Sequence, residues 1–573
     1  MFSSFFRKNA WKYAPGLLFV VVAAYIQTRA PIYLGSAIQL SIDGEWSEFF
    51  HEALMVLFVA VGTFAARYVW RYFIIGISRD MEVYLRNRLY EHFLRLPLSF
   101  YGKNRSGDLM AYAINDVNAV RMMFGMVVAQ AVNTLSSMAF SVASMGGVIH
   151  PRLTLYALLP LPVAIFAVVV LSMRIRARSR EAQEEFQRLS AHVQENINGM
   201  RVLKAFAQEK PQYAEYEQES LSKKRANTRL YITGALISPA IQVTIGISYF
   251  VGLVYGGSLV MDGTLELKDY VAFNTYLTYI NMPIAMIGRI SNMLQRGLAS
   301  YKRLKTIADE EEIPEAERDG SHVIASTGIE ARRLTFRYPG AAADALYDVS
   351  FSLPEGGVLG VAGPTGSGKS TLVSLLLKLQ TPRKGQLFMG GEDVTDIPAA
   401  SIRSISGYVP QDGFLFNESI RENIRFFSGA TDEEIDRAVE KTALSGDVAA
   451  MSEGLETLAG ERGNHVSGGQ RQRISLARAL VRKPRLLLLD DTLSAVDART
   501  EREILSSLDE EVRGRTTIIV SHRLSALEKA DLILYLEDGR VTEAGTHASL
   551  LALDGAYARM WRAQMEGGDA DGQ

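Results

Sequence analysis

The chain has no cysteine. That absence excludes a disulfide scaffold, a thiolate metal site and a cysteine nucleophile. Net charge is also nearly absent: 61 Lys and Arg stand against 63 Asp and Glu, a formal −2 that argues against general nucleic-acid binding. The balance hides a split, because the first half is apolar with basic punctuation and the second half carries the charge of a soluble domain. A signal peptide is not expected either. Met1 to Tyr13 carries Arg7, Lys8 and Lys12 among Phe2, Phe5, Phe6 and Trp11, a composition suited to an interfacial helix. The apolar stretch that follows, about Ala14 to Leu40, is longer than a signal-peptide core and has no small-residue cleavage site followed by a soluble domain. At 573 residues the chain is too long for one ordinary core, so at least two domains are expected.

What is present is organised around Gly363-Pro364-Thr365-Gly366-Ser367-Gly368-Lys369-Ser370-Thr371, which fits the P-loop pattern G-x-x-x-x-G-K-[ST]. The apolar run Val358 to Ala362 ahead of it reads as a buried strand, and Leu372 to Leu379 behind it reads as a helix stopping at Thr381-Pro382. Glycines let consecutive backbone N–H groups converge on a phosphate at a helix N-terminus. Lys369 adds a point charge on the β- and γ-phosphates, and Ser370 offers its hydroxyl to Mg²⁺. A second apolar run, Leu486 to Asp490, reads as a central parallel strand ending in a carboxylate, so Asp490 is the candidate holder of the Mg²⁺ water shell. Between them, Ser467-Gly468-Gly469-Gln470 opens the apolar-periodic segment Ile474 to Leu480 as a second phosphate-binding helix start. One P-loop site does not need two cradles. The second is therefore expected to serve a nucleotide held by another subunit.

At this point the chain resembles the nucleotide-binding domain of ABC transporters, with Ser467 to Gln470 similar to the family signature. The resemblance implies that Tyr338 stacks on the adenine of ATP and that Gln411 is the Q-loop glutamine near the catalytic Mg²⁺. It further implies that Ser494 to Asp497 form the D-loop and that His522 is the switch histidine. Gly460-Glu461-Arg462-Gly463 resembles the exporter segment that touches the transmembrane domains. One departure bears on mechanism: the family usually has Glu after the Mg²⁺ aspartate, where it polarises the attacking water, and this chain has Asp491. A carboxylate retracted by about a bond length loses on the order of 10²-fold in rate when a ~1 Å misplacement falls at the reacting centre. The site is expected to bind ATP and hydrolyse it poorly.

Upstream, stretches long enough to cross ~30 Å of hydrocarbon occur near Pro15–Ile38, His51–Ile75, Met123–Ile149, Leu153–Met173, Tyr231–Val260 and Tyr270–Ile290, six spans in all. The long, Arg/Lys-rich connections Ser78–Arg121 and Arg174–Arg229 and the N-terminus are cytoplasmic by the positive-inside rule, and an even number of spans returns the P-loop domain to that side. Pro97, Gly102 and Gly199 are expected to break the long connections, where Leu98 to Asp108 and Asn198 to Phe206 resemble exporter coupling helices. Intramembrane polar groups, among them Gln27, Arg29, Arg67, Arg71, Asn274, Asn281 and Arg289, are expected to face a cavity or to snorkel, and the methionines, such as Met123 and Met282, to pack or contact lipid.

The expected fold is an all-α six-helix transmembrane domain, residues 1–300, then a linker at 301–328, an α/β P-loop ABC nucleotide-binding domain at 329–566 and a disordered tail at 567–573. The whole chain resembles an ABC exporter half-transporter in the cytoplasmic membrane, and Asp491 with an intact signature resembles the degenerate-site member of bacterial heterodimeric multidrug exporters. The resemblance implies a second half-transporter bearing the catalytic Glu, ATP and Mg²⁺ as cofactors, and an amphipathic small molecule or lipid as cargo, with no nucleic-acid partner. Alternatives are a homodimeric lipid flippase, an exporter-fold siderophore importer, or an ATP-binding regulatory or channel-like subunit.

Overall fold

A computed structural model describes residues 2–492, 498–512 and 514–568. The chain divides into two compact units, Met1–Glu312 and Ile313–Gln573.

The first unit is helical throughout: α1 Phe2–Gln27, α2 Ala30–Asp43, α3 Trp46–Arg95, α4 Leu98–Lys103, α5 Ser106–Ile149, α6 Pro151–Asn198, α7 Met200–Ala205, α8 Glu209–Met261 and α9 Leu267–Ala308. Among the described residues, five helical segments are long and apolar enough to cross a membrane: Ser4–Asp43, Trp46–Arg95, Ser106–Ile149, Pro151–Asn198 and Glu209–Met261. The stretch near Tyr270–Ile290 is not one of these five; it lies in α9, an unbroken helix of 42 residues in which Asn274, Thr275, Thr278 and Arg289 dilute the apolar content. The side chains of Asn281 and Met282 lie outside the described residues.

Three expectations for this unit need correction. The stretch Pro15–Ile38 is two helices, because Pro31 at the start of α2 has no N–H to return to the preceding turn. A carbonyl freed at that break is taken up by a neighbour: the Tyr276 hydroxyl, in a fully buried side chain of α9, donates to Thr28 O at 2.5 Å. Such replacement partners are what let a helix break inside hydrocarbon. The N-terminal segment is no free interfacial helix, since it continues into α1 and buries Phe5 against Ile77, Met81 and Leu85 of α3. Gly102 lies within α4 rather than ending it, whereas α3 does end before Pro97 and α6 ends on Gly199.

Buried charges fasten the extended helices to one another. Glu82 on α3 is bonded by Arg79 and Arg86, each at 2.7 Å, and by Arg121 on α5 at 3.3 Å. Asp116 on α5 accepts from Ser300 Oγ at 2.8 Å and Arg303 Nε at 2.9 Å, both on α9.

The second unit contains β1 Ile329–Phe336, β2 Leu346–Leu353, β3 Val358–Ala362, β4 Leu387–Met389, β5 Glu392–Asp393, β6 Ser406–Val409, β7 Leu486–Asp490, β8 Thr516–Val520, β9 Leu532–Glu537 and β10 Arg540–Gly545. An antiparallel sheet has the order β2-β1-β4-β5 and a six-stranded sheet the order β10-β9-β3-β8-β7-β6, parallel except for β10 at its edge. The central strands are buried on both faces, which is why they read as uninterrupted apolar runs. Helices α10 Lys369–Leu376, α11 Gly468–Leu480, α12 Ala498–Val512 and α13 Ala556–Gly568 surround the sheet, and the insertion between β6 and β7 has its own core around Leu415, Ile424, Ile435 and Ile474.

Element ends also differ from expectation. α10 stops at Leu376, short of Leu379, because Lys378 takes a left-handed φ of 47° and buries its ammonium on Ile397 O at 2.7 Å and Glu317 Oε1 at 2.8 Å. The stretch read as linker from 301 is helical to Ala308, and the tail read as disordered from 567 is helical to Gly568, with 569–573 outside the described residues.

Close helix contact gives a test with opposite signs at two glycines. A Cβ at Gly35 of α2 would stand 2.1 Å from the Lys268 carbonyl oxygen of α9, whereas at Gly76 of α3 it would meet nothing within 4 Å. We expect Gly35→Ala to lower the thermal midpoint in detergent, at a cost of about 1–3 kcal/mol. Gly76→Ala should leave it unchanged or raise it, since Ala is about 1 kcal/mol better than Gly in a helix. Equal shifts would contradict the α2–α9 approach.

Candidate functional site

The glycine loop lies where the sequence places it, between β3 and α10. Gly363, Gly366 and Gly368 have φ of 141°, 84° and 97°, the left-handed region that a Cβ strains. Space forbids a side chain as well. A Cβ would stand 2.1 Å from Leu536 O at Gly363 and 2.4 Å from Ala345 O at Gly368. Pro364, Thr365 and Gly366 form an exposed rim while Ser367 is tucked inward, its Oγ buried without a hydrogen-bond partner. Lys369 and Ser370 begin α10, so their N–H groups have no acceptor within the helix. The result is a concave row of donors shaped for an anion.

Beneath that loop three charges are buried together: Lys369 is 6% exposed, Asp490 3% and Asp491 6%. The Lys369 ammonium donates to Gly363 O at 2.8 Å and Pro364 O at 2.7 Å. Burial lowers its pKa, against the pull of Asp491 and Asp490. Burial likewise raises the Asp490 carboxyl; the Ser370 hydrogen bond and the charges of Lys369 and His522 oppose that shift, and the Asp491 charge adds to it. Ser370 Oγ donates to Asp490 Oδ1 at 3.0 Å, joining two residues 120 apart in sequence. Asp491 itself has a φ of 49°, donates its N–H to Val520 O at 2.8 Å and accepts from the His522 N–H at 3.4 Å.

The other candidates are distributed around this centre. Tyr338 packs edge-on against Phe336, with centroids 5.0 Å apart, and its hydroxyl is 3.3 Å from Thr371 Oγ1, which brings the ring beside α10. Gln411 is exposed, two residues beyond β6. His522, half-buried, follows β8 at the same sheet edge as Asp490. Asp497 and the rest of 493–497 lie outside the described residues. Ser467 caps α11: its Oγ accepts from Gln470 N at 3.2 Å, and Gln470 Oε1 accepts from Ser467 N at 2.9 Å. An accepting hydroxyl keeps its own proton free to donate, so the exposed Ser467 and Gly468 present donors outward beside the half-buried Gly469.

Sequence reasoning missed several supports. Asp447 anchors the signature by accepting from Gln470 Nε2 at 2.8 Å and Arg473 Nη1 at 2.7 Å. Gln472 Nε2 reaches Asp491 O at 3.3 Å. The Ser467/Gln470 reciprocity was open to reading as an S-x-x-Q capping box; partners distant in sequence leave no such signal.

Comparison with known proteins assigns both units. Residues 14–284 match the ABC transporter transmembrane region and residues 346–494 the ABC transporter family. Over 98% of the chain and 96% of the relative, the sequence is 36% identical to the probable multidrug resistance ABC transporter ATP-binding/permease protein YheI of Bacillus subtilis. It is 34% identical, with the same coverage, to the multidrug resistance-like ATP-binding protein MdlA of Escherichia coli. An ATP-dependent lipid A-core flippase of Pseudomonas fluorescens is 32% identical over 88% of the chain and 84% of the relative. A bacterial Atm1-family ABC exporter solved with ATP bound superposes with a TM-score of 0.77 at 25% identity, covering 98% of each chain. The chain therefore belongs to the ABC exporters, as a multi-pass membrane protein whose cytoplasmic ATP-binding domain drives transport.

Proposed function

We propose that this chain is one half of a heterodimeric exporter of amphipathic, drug-like molecules, supplying a slow ATP site of its own and an intact signature to its partner's site. The observation that carries this reading is Asp491, one methylene shorter than the family's Glu, with its carboxylate turned to the His522 backbone. A water-polarising base must reach the water, and here the reach is cut at the reacting centre.

In this reading Lys369 leaves the loop carbonyls for the β- and γ-phosphates, and Thr365 to Thr371 supply N–H and hydroxyl donors around them. The Tyr338 ring stacks on adenine. Ser370 Oγ and Asp490 Oδ1 are hard oxygen donors already 3.0 Å apart, and among the described residues no cluster of three or more His, Cys, Asp or Glu forms an all-protein cage. That donor set fits Mg²⁺, which takes one or two protein oxygens and substrate phosphates. When bound, Mg²⁺ supplies neutralisation of phosphate charge. Gln411 adds an oxygen at the same edge, and His522 contacts the γ-phosphate. Ser467 to Gln470 close over ATP on the partner. Nucleotide binding then drives closure only by its greater affinity for the closed pair, and hydrolysis in the competent site resets it.

A homodimeric lipid exporter is the second reading, favoured by the resemblance to the lipid A-core flippase. The two differ in what mutations do. With a Glu-bearing partner present, Ser467→Arg should abolish most ATPase activity, whereas Asp491→Asn should change it much less; comparable losses favour the homodimer. In a second experiment the chain is purified alone. It should turn over ATP slowly, and Asp491→Glu should raise that rate by about tenfold or more, in line with a ~1 Å displacement of the base. No gain from Asp491→Glu would show that the missing methylene does not limit this site.

A further inference from the structure

The last helix of the chain reaches the switch histidine. Gln564 on α13 donates through Nε2 to His522 O at 2.6 Å and accepts through Oε1 from Leu524 N at 3.0 Å. One bond needs a donor and the other an acceptor, so the amide orientation is fixed by its partners. The N–H of His522 donates to Asp491 Oδ1 at 3.4 Å. Both peptide planes flanking the His522 Cα are thus anchored, one by Asp491 and the other by Gln564, and those planes set the direction in which the imidazole leaves the backbone.

The next residue is fastened too. Arg523 is ion-paired with Glu501 on α12, a carboxylate only 4% exposed, which also accepts from Ser525 Oγ at 2.8 Å. Docking of α13 does not need Gln564. Its apolar face, Tyr557 with Ala556, Met560 and Trp561, already packs with Leu524, Leu527, Ile533 and Ala362, the residue before the glycine loop. Gln564 spends both its polar atoms on the two backbone groups that flank Arg523.

We propose that Gln564 is a positioning residue: through the backbone of 522 and 524 it aims His522 at the γ-phosphate, making the C-terminal helix part of the ATP site. This rests on the γ-phosphate role given to His522, so the test carries that role as a separate arm. The full-length chain in detergent is titrated with AMP-PNP and with ADP, each with Mg²⁺, for the wild type, Gln564→Met, His522→Ala and the double variant. Met keeps the length of Gln and removes both hydrogen bonds. The AMP-PNP preference over ADP should fall about fivefold in Gln564→Met, the scale of one net hydrogen bond. It should fall at least as far in His522→Ala and no further in the double variant, because the two act through one contact. Gln564→Glu, which keeps an acceptor for Leu524 N but sets a carboxylate oxygen against His522 O, should fall at least as far as Gln564→Met. ADP affinity should stay constant across the set, which also reports that each variant is folded. A full effect of His522→Ala with none from Gln564→Met overturns the positioning role alone. Equal weakening of AMP-PNP and ADP by Gln564→Met, or additive losses in the double variant, overturns it as well. No effect of His522→Ala overturns both the histidine's role and the proposal built on it.

Discussion

The nucleotide unit depends on burying an ammonium and two carboxylates together at the edge of a parallel sheet. Lys369, Asp490 and Asp491 are each less than a tenth exposed, and a lone buried charge costs several kcal/mol unless it is paired and hydrogen-bonded. The surroundings meet that demand locally. Two loop carbonyls take the ammonium, Ser370 takes Asp490, and the His522 N–H takes Asp491. These bonds neutralise the buried charges without nucleotide, and in the proposed reading Lys369 exchanges its loop carbonyls for phosphate oxygens when ATP arrives. The positive-φ glycines follow from the same constraint, since any side chain at Gly363 or Gly368 would meet backbone from β9 or the segment before β2.

In the proposed reading, a site built this way would separate binding from turnover. The glycine loop would supply the donors for phosphate, and the shortened base at Asp491 is the departure from the family pattern that bears on turnover. For an exporter such a division has a use: a nucleotide that stays bound adds its differential affinity to the closed state for as long as it remains, while a faster site elsewhere sets the cycle. Asp491 lies between the strand that bears Asp490 and the loop that bears His522, so its length and the aim of the histidine are linked through a single backbone N–H.

Much of this was legible in the sequence, for identifiable reasons. β3 and β7 read as continuous apolar runs because both faces are buried, and Pro97 and Gly199 marked helix ends because Pro lacks the N–H that continues a helix and Gly is about 1 kcal/mol poorer than Ala within one. The break between α1 and α2 was hidden, although Ala30-Pro31 is a helix-start signal, because it sits inside an apolar run read as one span. The early stop of α10 depends on where the Lys378 ammonium is buried, a tertiary fact. The supports of the site, Asp447 beneath the signature and Gln564 beneath the switch loop, are ordinary polar residues in sequence and gain their meaning only from partners 23 and 42 positions away.

In the proposed reading this chain pumps as part of an unequal pair. The most direct test is ATP-dependent accumulation of an amphipathic fluorescent cation in inside-out vesicles. The vesicles would hold this chain alone, or this chain with a half-transporter from the same membrane that carries Glu at the position of Asp491. Accumulation against a gradient is expected with both chains and little with either alone. Accumulation by this chain alone at the rate of the pair would contradict that reading.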